Sequence, residues 1–421
     1  MTANPFNGLT APQRLTFASL CVAVIAIALW WRIGIIALCF LCCVSLFKII
    51  HSRNFSNKAL SRSQKVCLWS MVAYWALYAI SAVVSVNHAG GWSTAAIKLY
   101  FLVLPLLCLL ADTAYLTPRR ISVLFQVFSA TLLLRFFLCL AATGIALIQG
   151  TPLTEVKDWQ FDPLGMHHNY LALYIDTAIA YLYTLTFRPP QSSRRRHLTL
   201  ISAAIALLVA YLFFTSSRSG IVTLVLLFLA ALVHITFFRK RYKTALIVAI
   251  LSLSLLAGLY LAVPSLFDRF VSLTHWSENH YPDDRVIAWI CGLNATEGHL
   301  LFGYGSGDHM QHLAKAFEEF GYLRAVDNGY NSHCQYIETL LETGIVGLAI
   351  FLFMLLAPLV AAFNKKNRNL LAVLVVIAVA SMSIFEVILN RQMGTQLISL
   401  TFCLLILSLS PSRHPSQNAA S

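Results

Sequence analysis

Long apolar runs alternate with short polar segments from residue 15 to residue 410 of the chain. Each run has about the 20 residues that a helix needs to cross a hydrocarbon core of about 30 Å. Backbone groups in lipid must be hydrogen-bonded within their own segment, so we predict that these runs are helices. The pattern predicts about twelve spans, at 15–31, 33–50, 66–86, 94–112, 121–148, 168–187, 197–216, 219–238, 244–263, 334–361, 368–387 and 392–410.

The longest segment between two spans predicts the organisation of the chain. Residues 1–263 hold nine spans, residues 264–333 form one large loop outside the membrane, and residues 334–421 hold three spans and a short tail. Within the loop, DDRVIAWICGL has apolar residues at helical spacing, which predicts a helix on the membrane surface or against the bundle. A second short helix is predicted at 308–320, with Asp308 as its cap. We therefore predict an all-α polytopic membrane protein whose large loop contains short helices.

The composition agrees with a membrane protein and indicates its orientation. The chain is 58% hydrophobic and 11% charged, whereas a soluble domain has about 25% charged residues. If the N-terminus is cytoplasmic, most of the 30 lysines and arginines fall in cytoplasmic segments, as the positive-inside rule requires. Both termini are then cytoplasmic, and the net charge of +13 favours contact with anionic lipid. The basic residues are scattered over separate loops, which gives no indication of nucleic acid.

The N-terminal sequence and the cysteines add little to this picture. MTANPFNGLTAPQR lacks the basic start and the cleavage site of a signal peptide, so we expect the first span to stay in the protein. Most of the ten cysteines lie inside spans. Cys291 and Cys334 fall near the outer face, where a disulfide between them is open.

The hairpin TSSRSG places Arg218 between two apolar runs at the outer face. Ser217 or Ser219 is suited to cap the following helix, whose N-terminus attracts anions. The planar fork of arginine binds pairs of oxygen atoms, so the hairpin favours a phosphate site. The alternative is an arginine that snorkels to the interface or anchors the loop.

A second polar group occurs in NGYNSHCQYIETLLETG, at the start of the tenth span. We predict that Asn331 or Ser332 caps this span and places His333 in its first turn. A helix N-terminus disfavours the imidazolium form, and a neutral His333 would suit a general base near pH 7. An interfacial histidine without chemistry is the alternative. Glu338 and Glu342 below it argue against that alternative, because intramembrane carboxylates need partners or a polar cavity.

Further polar residues are candidates for ligand contacts or for structural ion pairs. The adjacent His167 and His168 point in different directions on a helix and make a poor zinc pair, so we expect no metal. LFGYGSG, from Leu301 to Gly307, is predicted to be a tight turn that could touch substrate. No strand precedes it, so it is not a nucleotide fingerprint. Within the spans these candidates are Lys98, Arg135, Asp176 and Glu386, and Arg391 lies at the last outer turn.

Taken in order, four segments of the chain resemble the O-antigen ligase and polymerase superfamily of bacterial inner-membrane glycosyltransferases. GMHHNYLALY resembles its Gly…Asn…Ala segment, with Asn169 in the asparagine position. SSRSGIVTL resembles its Ser-Arg-Ser-Gly hairpin, although Val222 stands where leucine is frequent. DDRVIAWICGL…LFGYGSG resembles its arginine-led loop with a glycine turn. HCQYIETLLETG resembles its histidine with a glycine eleven residues later, here His333 and Gly344.

The resemblance implies an inverting, metal-independent and cofactor-free transfer of a glycan from undecaprenyl pyrophosphate at the periplasmic face of the inner membrane. Arg218 and Arg285 would hold the donor pyrophosphate, and His333 would activate the acceptor hydroxyl. Two arginines could stabilise the leaving group without a metal. Substrate contacts are then expected from Ser217, Ser219, Asn169, Tyr336, Arg324, Arg391 and Lys98.

Several activities remain open within and outside this superfamily. A ligase moves O-antigen onto lipid A–core, a polymerase lengthens a lipid-linked chain, and a protein-directed member modifies serine or threonine. The single large loop and the one prominent histidine favour the ligase, with a lipid-linked donor, lipid A–core and the bilayer as partners. A transporter should show internal repeats and spans broken near the midplane. Most of the 13 prolines lie in loops or near span ends, with Pro105 and Pro358 as exceptions.

Overall fold

A computed structural model describes residues 4–52, 57, 59–151, 164–187, 194–250, 254, 284–363 and 369–409. Within these ranges the chain forms helices and no strand. The first ten helices are α1 (Ala11–Leu29), α2 (Trp31–Ser52), α3 (Arg62–Val84), α4 (His88–Ile97), α5 (Tyr100–Leu110), α6 (Pro118–Ile148), α7 (His168–Leu185), α8 (Arg194–Phe214), α9 (Arg218–Val233) and α10 (242–250). The remaining helices are α11 (Asp284–Ala295), α12 (His309–Glu319), α13 (Leu323–Asp327), α14 (Gln335–Phe363), α15 (Leu370–Phe385) and α16 (Gln392–Ser408).

The predicted apolar segments are helical wherever the structure describes them, but the count of twelve spans is not confirmed. In the described ranges, seven helices are long and apolar enough to cross a membrane: α1, α2, α3, α6, α8, α9 with the π-turn that extends it to Phe238, and α14. The pair α4 and α5 makes an eighth if it is counted as one span bent by 47°. The segment predicted at 244–263 lies largely outside the described residues.

The centre of the bundle consists of the shorter apolar helices. Almost every side chain of α16 from Met393 to Leu407 is buried, and α7 is buried from Asn169 to Leu182. In contrast, α2 and α9 expose large apolar side chains such as Phe47 and Leu229. Such an apolar surface is stable against lipid and unstable in water, so the short helices form the core and the long ones face the bilayer.

A break in α14 positions the glycine-rich segment. Gly344 has φ 67° and ψ −163°, a conformation that is not helical and that only glycine adopts readily. The segment from Leu300 to Gly305 pairs with this break: Ile345 N–H donates to Leu300 O at 2.8 Å, and Tyr304 N–H donates to Leu341 O at 2.8 Å. The predicted tight turn is therefore a segment docked against a broken helix, and it satisfies the backbone groups that the break exposes.

The described residues from 284 to 334 pack on the bundle through a second hydrophobic cluster. Ile287 and Cys291 of α11 lie in this cluster with Phe317 of α12 and Leu341 of α14. The helix predicted from DDRVIAWICGL is confirmed, and it packs against α14. The disulfide left open above is not formed, because Cys291 and Cys334 are both free thiols.

The predicted role of Asp308 as a helix cap is wrong. Asp308 precedes α12, but its side chain makes no capping hydrogen bond. Instead, its carboxylate accepts from Val86 N–H at 2.7 Å and Asn87 N–H at 2.8 Å, just before α4. These two N–H groups have no partner within a helix, and the carboxylate accepts from them instead of from the N–H groups at the start of α12. Asp308 thus ties the outer segment to the α3–α4 turn.

Candidate active site at one end of the bundle

The hairpin that carries Arg218 is built from buried hydroxyl groups. Ser217 caps α9, as predicted, by accepting a hydrogen bond from Gly220 N–H at 3.2 Å. The hydroxyls of Ser217 and Ser219 both donate to Asn169 Oδ1, at 2.8 and 3.0 Å. All three predicted contact residues are buried and hold one another. They fix the start of α9, so the half-buried Arg218 extends from a rigid support.

Asn169 also joins this hairpin to the end of α15. Its side-chain amide donates to Glu386 Oε2 at 2.6 Å. Next to it, the Tyr170 hydroxyl donates to Val387 O at 2.9 Å. The turn from Glu386 to Arg391 is therefore held against the first residues of α7. Glu386, which the sequence left open as an ion-pair member or a ligand contact, accepts a neutral amide in the structure.

Residues from distant parts of the chain come together around His167. Burial is the largest cause that lowers the pKa of His167 to about 4, and the neighbouring Arg391, Arg285 and His333 contribute to the same shift. Charges influence one another in this way only over short distances. We call His167, Arg285, His333 and Arg391 the basic cluster. Since Arg218 adjoins Ser217, and Asn169 lies two residues after His167, the hairpin adjoins this cluster.

His167 itself was considered only as a zinc ligand, and its position in this cluster was missed. Its ring stacks on His168 with 4.3 Å between centroids. Among the described residues, its buried Nδ1 atom has no hydrogen-bond partner. The sequence signal was its place two residues before Asn169, the residue that the hairpin hydroxyls hold.

His333 lies before α14 and not in its first turn, so that prediction is wrong. The helix begins at Gln335, and His333 has a positive φ of 49°. The backbone takes this conformation because Asn331 Oδ1 accepts from His333 N–H at 3.0 Å, while Ser332 is held by a buried carboxylate. His333 therefore lies outside the helix, at the end of the bundle where α14 begins, and it is half-buried.

That carboxylate belongs to Glu338, which is completely buried. Glu338 Oε2 accepts from the Ser332 hydroxyl at 2.7 Å and from Ser332 N–H at 3.1 Å. Its other oxygen accepts from Asn390 Nδ2 at 3.1 Å and lies 3.2 Å from His309 Nε2. One side chain of α14 thus contacts the segment before the helix, the outer helix α12 and the turn before α16.

Lys98 lies below these groups, away from any exposed surface. It sits at the bend between α4 and α5 and is completely buried. Its Nζ atom donates to Asn390 Oδ1 at 2.7 Å and lies 3.9 Å from Glu342 Oε1. The Tyr78 hydroxyl donates to the other oxygen of Glu342. The structure therefore places this predicted substrate contact in an internal set of groups, which we call the buried network: Tyr78, Lys98, His309, Glu338, Glu342 and Asn390.

The ligand atoms of His309, Glu338 and Glu342 all lie within 4.8 Å of one another, a spacing that could hold a metal ion. Their surroundings do not suit one. Burial lowers the pKa of His309, but Glu338 and Glu342 raise it to a net value above the ordinary one. His309 and Lys98 already face the two carboxylates, and Asn390 and Ser332 already donate to Glu338. A divalent cation would have to displace these donors beside an ammonium group.

The remaining candidates are spread between the site and the core. Tyr336 is half-buried, and its hydroxyl donates to Ala380 O at 3.0 Å. Arg324, on α13, is exposed. The buried guanidinium of Arg135 donates to Ala28 O at 3.2 Å, at the end of α1. The structure thus brings Arg285, His333 and Arg391 together beside Arg218, assigns Lys98 and Arg135 to internal contacts, and leaves Arg324 on the surface.

The fold and this arrangement define a multi-pass helical membrane protein with a basic, histidine-bearing site at one end of its bundle. Residues 203–352 match a family model described as O-Antigen ligase. This match supports membership of the O-antigen ligase superfamily, and it confirms the resemblance seen in the sequence. The matched residues include Arg218, Arg285, His333 and the helix break at Gly344. No curated protein matches the chain.

Proposed function

We propose that the protein is an O-antigen ligase. In this proposal it is an inverting, metal-independent glycosyltransferase that moves O-antigen polysaccharide from undecaprenyl pyrophosphate to lipid A–core. The observation that carries the proposal is the basic cluster: Arg285, His333 and Arg391 come from distant segments and all lower the pKa of His167. A collection of positive charge beside a helix N-terminus suits a pyrophosphate.

The reaction needs one displacement at the anomeric carbon. The acceptor hydroxyl oxygen forms the new glycosidic bond, the bond from the anomeric carbon to the pyrophosphate oxygen breaks, and the configuration inverts. His333 takes the proton of the acceptor hydroxyl as a general base. Arg218 and Arg285 stabilise the negative charge that develops on the departing pyrophosphate, in the role that a divalent cation has in other enzymes.

The same proposal places the site at the periplasmic face of the bacterial inner membrane, with both termini in the cytoplasm. Its support is the charge at the other end of α9. Arg218 begins this helix, and Arg239, Lys240 and Arg241 follow its π-turn one membrane thickness away. Basic residues concentrate on the cytoplasmic side of such proteins. The isoprenoid tail of the donor then stays among the spans while its pyrophosphate reaches the basic cluster.

A transfer assay tests the proposal with purified protein, an undecaprenyl-pyrophosphate-linked glycan and two alternative acceptors, lipid A–core and a second lipid-linked repeat unit. EDTA is present throughout. The variants are His333→Ala and Arg218→Ala. Their matched controls are His299→Gln, which changes an exposed histidine of the outer segment, and Lys315→Ala, which removes an exposed charge paired with Glu319.

The expected result is product on lipid A–core alone, in the presence of EDTA. Both site variants should lose it, and both controls should keep it. A lengthened lipid-linked chain would instead identify a polymerase. Transfer that needs a divalent cation would contradict the proposed role of the arginines. Absence of transfer to either acceptor, with site variants equal to wild type in cells, would favour a transporter.

A further inference from the structure

The geometry points to Glu338 as a positioning residue that holds His333 and Arg391 in the relative arrangement that glycosyl transfer requires. This inference rests on the proposed function. Glu338 is not placed to react itself, because it is completely buried behind its partners. Its effect on the site passes through Ser332, one residue before His333, and through Asn390, one residue before Arg391.

The first connection fixes the backbone of His333. A positive φ costs a residue with a side chain about 1–2 kcal/mol, so it persists only when neighbouring contacts enforce it. Glu338 Oε2 holds Ser332 through both its N–H and its hydroxyl, at 3.1 and 2.7 Å. Asn331 Oδ1 holds the N–H of His333 from the other side. The direction of the imidazole thus depends on Asn331 and on one buried carboxylate oxygen of Glu338.

The second connection fixes the turn that carries Arg391. Asn390 donates to Glu338 Oε1 at 3.1 Å and accepts from Lys98 at 2.7 Å, so its amide is held at both ends. His309 adds a third connection, at 3.2 Å to the same oxygen, which ties α12 to the site. A displacement of about 1 Å in a positioned group can reduce a rate about 100-fold.

Glu338→Gln tests this role because it changes little in volume but removes one acceptor oxygen. An amide has one oxygen and one NH₂ group, so either Ser332 or the pair Asn390 and His309 loses its acceptor. The matched control is Glu342→Gln. Glu342 is equally buried, lies one turn further along α14 and belongs to the same network, but its partners are Tyr78, Lys98 and His309. It has no hydrogen bond to Ser332 or Asn390 among the described contacts.

The experiment measures kcat and the donor KM separately, per folded protein as judged by size exclusion and thermal melting. Glu338→Gln should lower kcat on the order of 10- to 100-fold and raise the donor KM. Glu342→Gln removes a charge beside Lys98, so it should lower the melting temperature but keep both constants near wild type in the folded protein. Two further variants separate the connections. Ser332→Ala should lower kcat at an unchanged donor KM, and Asn390→Ala should chiefly raise the donor KM.

Equal losses in Glu338→Gln and Glu342→Gln would overturn the inference, because the network would then matter only for general stability. If Glu338→Gln does not fold, an unchanged kcat in Ser332→Ala together with an unchanged donor KM in Asn390→Ala would overturn it. If Glu338→Gln has the kcat and the donor KM of the wild type while His333→Ala is inactive, the positioning role alone is refuted. A fully active His333→Ala would refute the proposed function itself.

Discussion

Replacing Gly344 by alanine should destabilise the protein strongly, although the change adds only one methyl group. The backbone of Gly344 has φ 67° and ψ −163°, a region that is essentially restricted to glycine. Holding another residue there costs about 1–3 kcal/mol. A Cβ atom would also lie 2.3 Å from Leu301 O and 2.5 Å from Phe302 N. Both are backbone atoms, so the docked segment from Leu300 to Gly305 must move.

Movement of this segment breaks the hydrogen bonds that hold it. Three of them are 3.1 Å or shorter: Ile345 N–H to Leu300 O, Tyr304 N–H to Leu341 O, and Gly305 N–H to Glu342 O. Each contributes about 1 kcal/mol net. With the backbone strain, the expected loss is about 4–6 kcal/mol. Transfer activity should fall as well, since the break lies on α14, the helix that carries Glu338.

Thermal unfolding in detergent, followed by tryptophan fluorescence, measures this loss. The matched control is Gly144→Ala, since Gly144 lies within α6 and an added Cβ meets nothing within 4 Å. In a helix this change should stabilise by about 0.5–1 kcal/mol. The melting temperatures of the two variants should therefore move in opposite directions. A Gly344→Ala protein that melts with or above Gly144→Ala would refute the account of the break.

Three further predictions concern the hairpin, the outer segment and the basic cluster. Ser217→Ala removes a helix cap and a bond to Asn169, so it should cost about 1–2 kcal/mol and lower the melting temperature, unlike the exposed Thr199→Ala. Asp308→Ala releases α12 from the α3–α4 turn, so limited proteolysis should cut the outer segment sooner than in the control Asp327→Ala. His167 is neutral in the fold, with a pKa of about 4 against an ordinary 6.5. The contribution of His167 to the free energy of unfolding should thus be constant above pH 6.5. It should fall by about 3 kcal/mol as the pH drops to 4, because the unfolded chain binds the proton more readily. Melting curves at pH 7 and pH 4.5 should show that His167→Gln lacks this part of the acid sensitivity. If the variant and the wild type are equally sensitive to acid, the pKa of about 4 for His167 is contradicted.

The sequence predicted those features that follow from local pattern and from the membrane. The apolar runs had to be helices, because lipid offers backbone groups no other partner. The cap of α9 was predicted to be Ser217 or Ser219 from their positions, and Ser217 is the cap. The same reasoning failed where a group that is distant in the sequence takes the hydrogen bond that a local group was predicted to make. Asp308 binds the N–H groups before α4 and not those of its own helix, and His333 leaves the helix because Asn331 and Glu338 hold the residues around it.

Two parts of the site could not be predicted from the chain. The break at Gly344 leaves the apolar pattern of α14 intact, so hydropathy gives no sign of it. Its cause is the segment from Leu300 to Gly305, which pairs with the exposed backbone. The sequence left Lys98 open as an ion-pair member or a ligand contact, because its partners, Glu342 and Asn390, are far away in the chain. Only the packing of α4, α14 and α16 brings them together.

The buried position of Lys98 sets an order for the assembly of the protein during synthesis. The helices on either side of it leave the ribosome long before α14, which supplies Glu342. A charged lysine within a bilayer costs up to about 3 kcal/mol on insertion scales, and the pair α4 and α5 is bent by 47° at Lys98. We therefore expect this pair to take its final arrangement only once α14 is present. A nascent chain that stops before residue 342 lacks the charge that stabilises this pair, and the first half of the bundle is completed by the second.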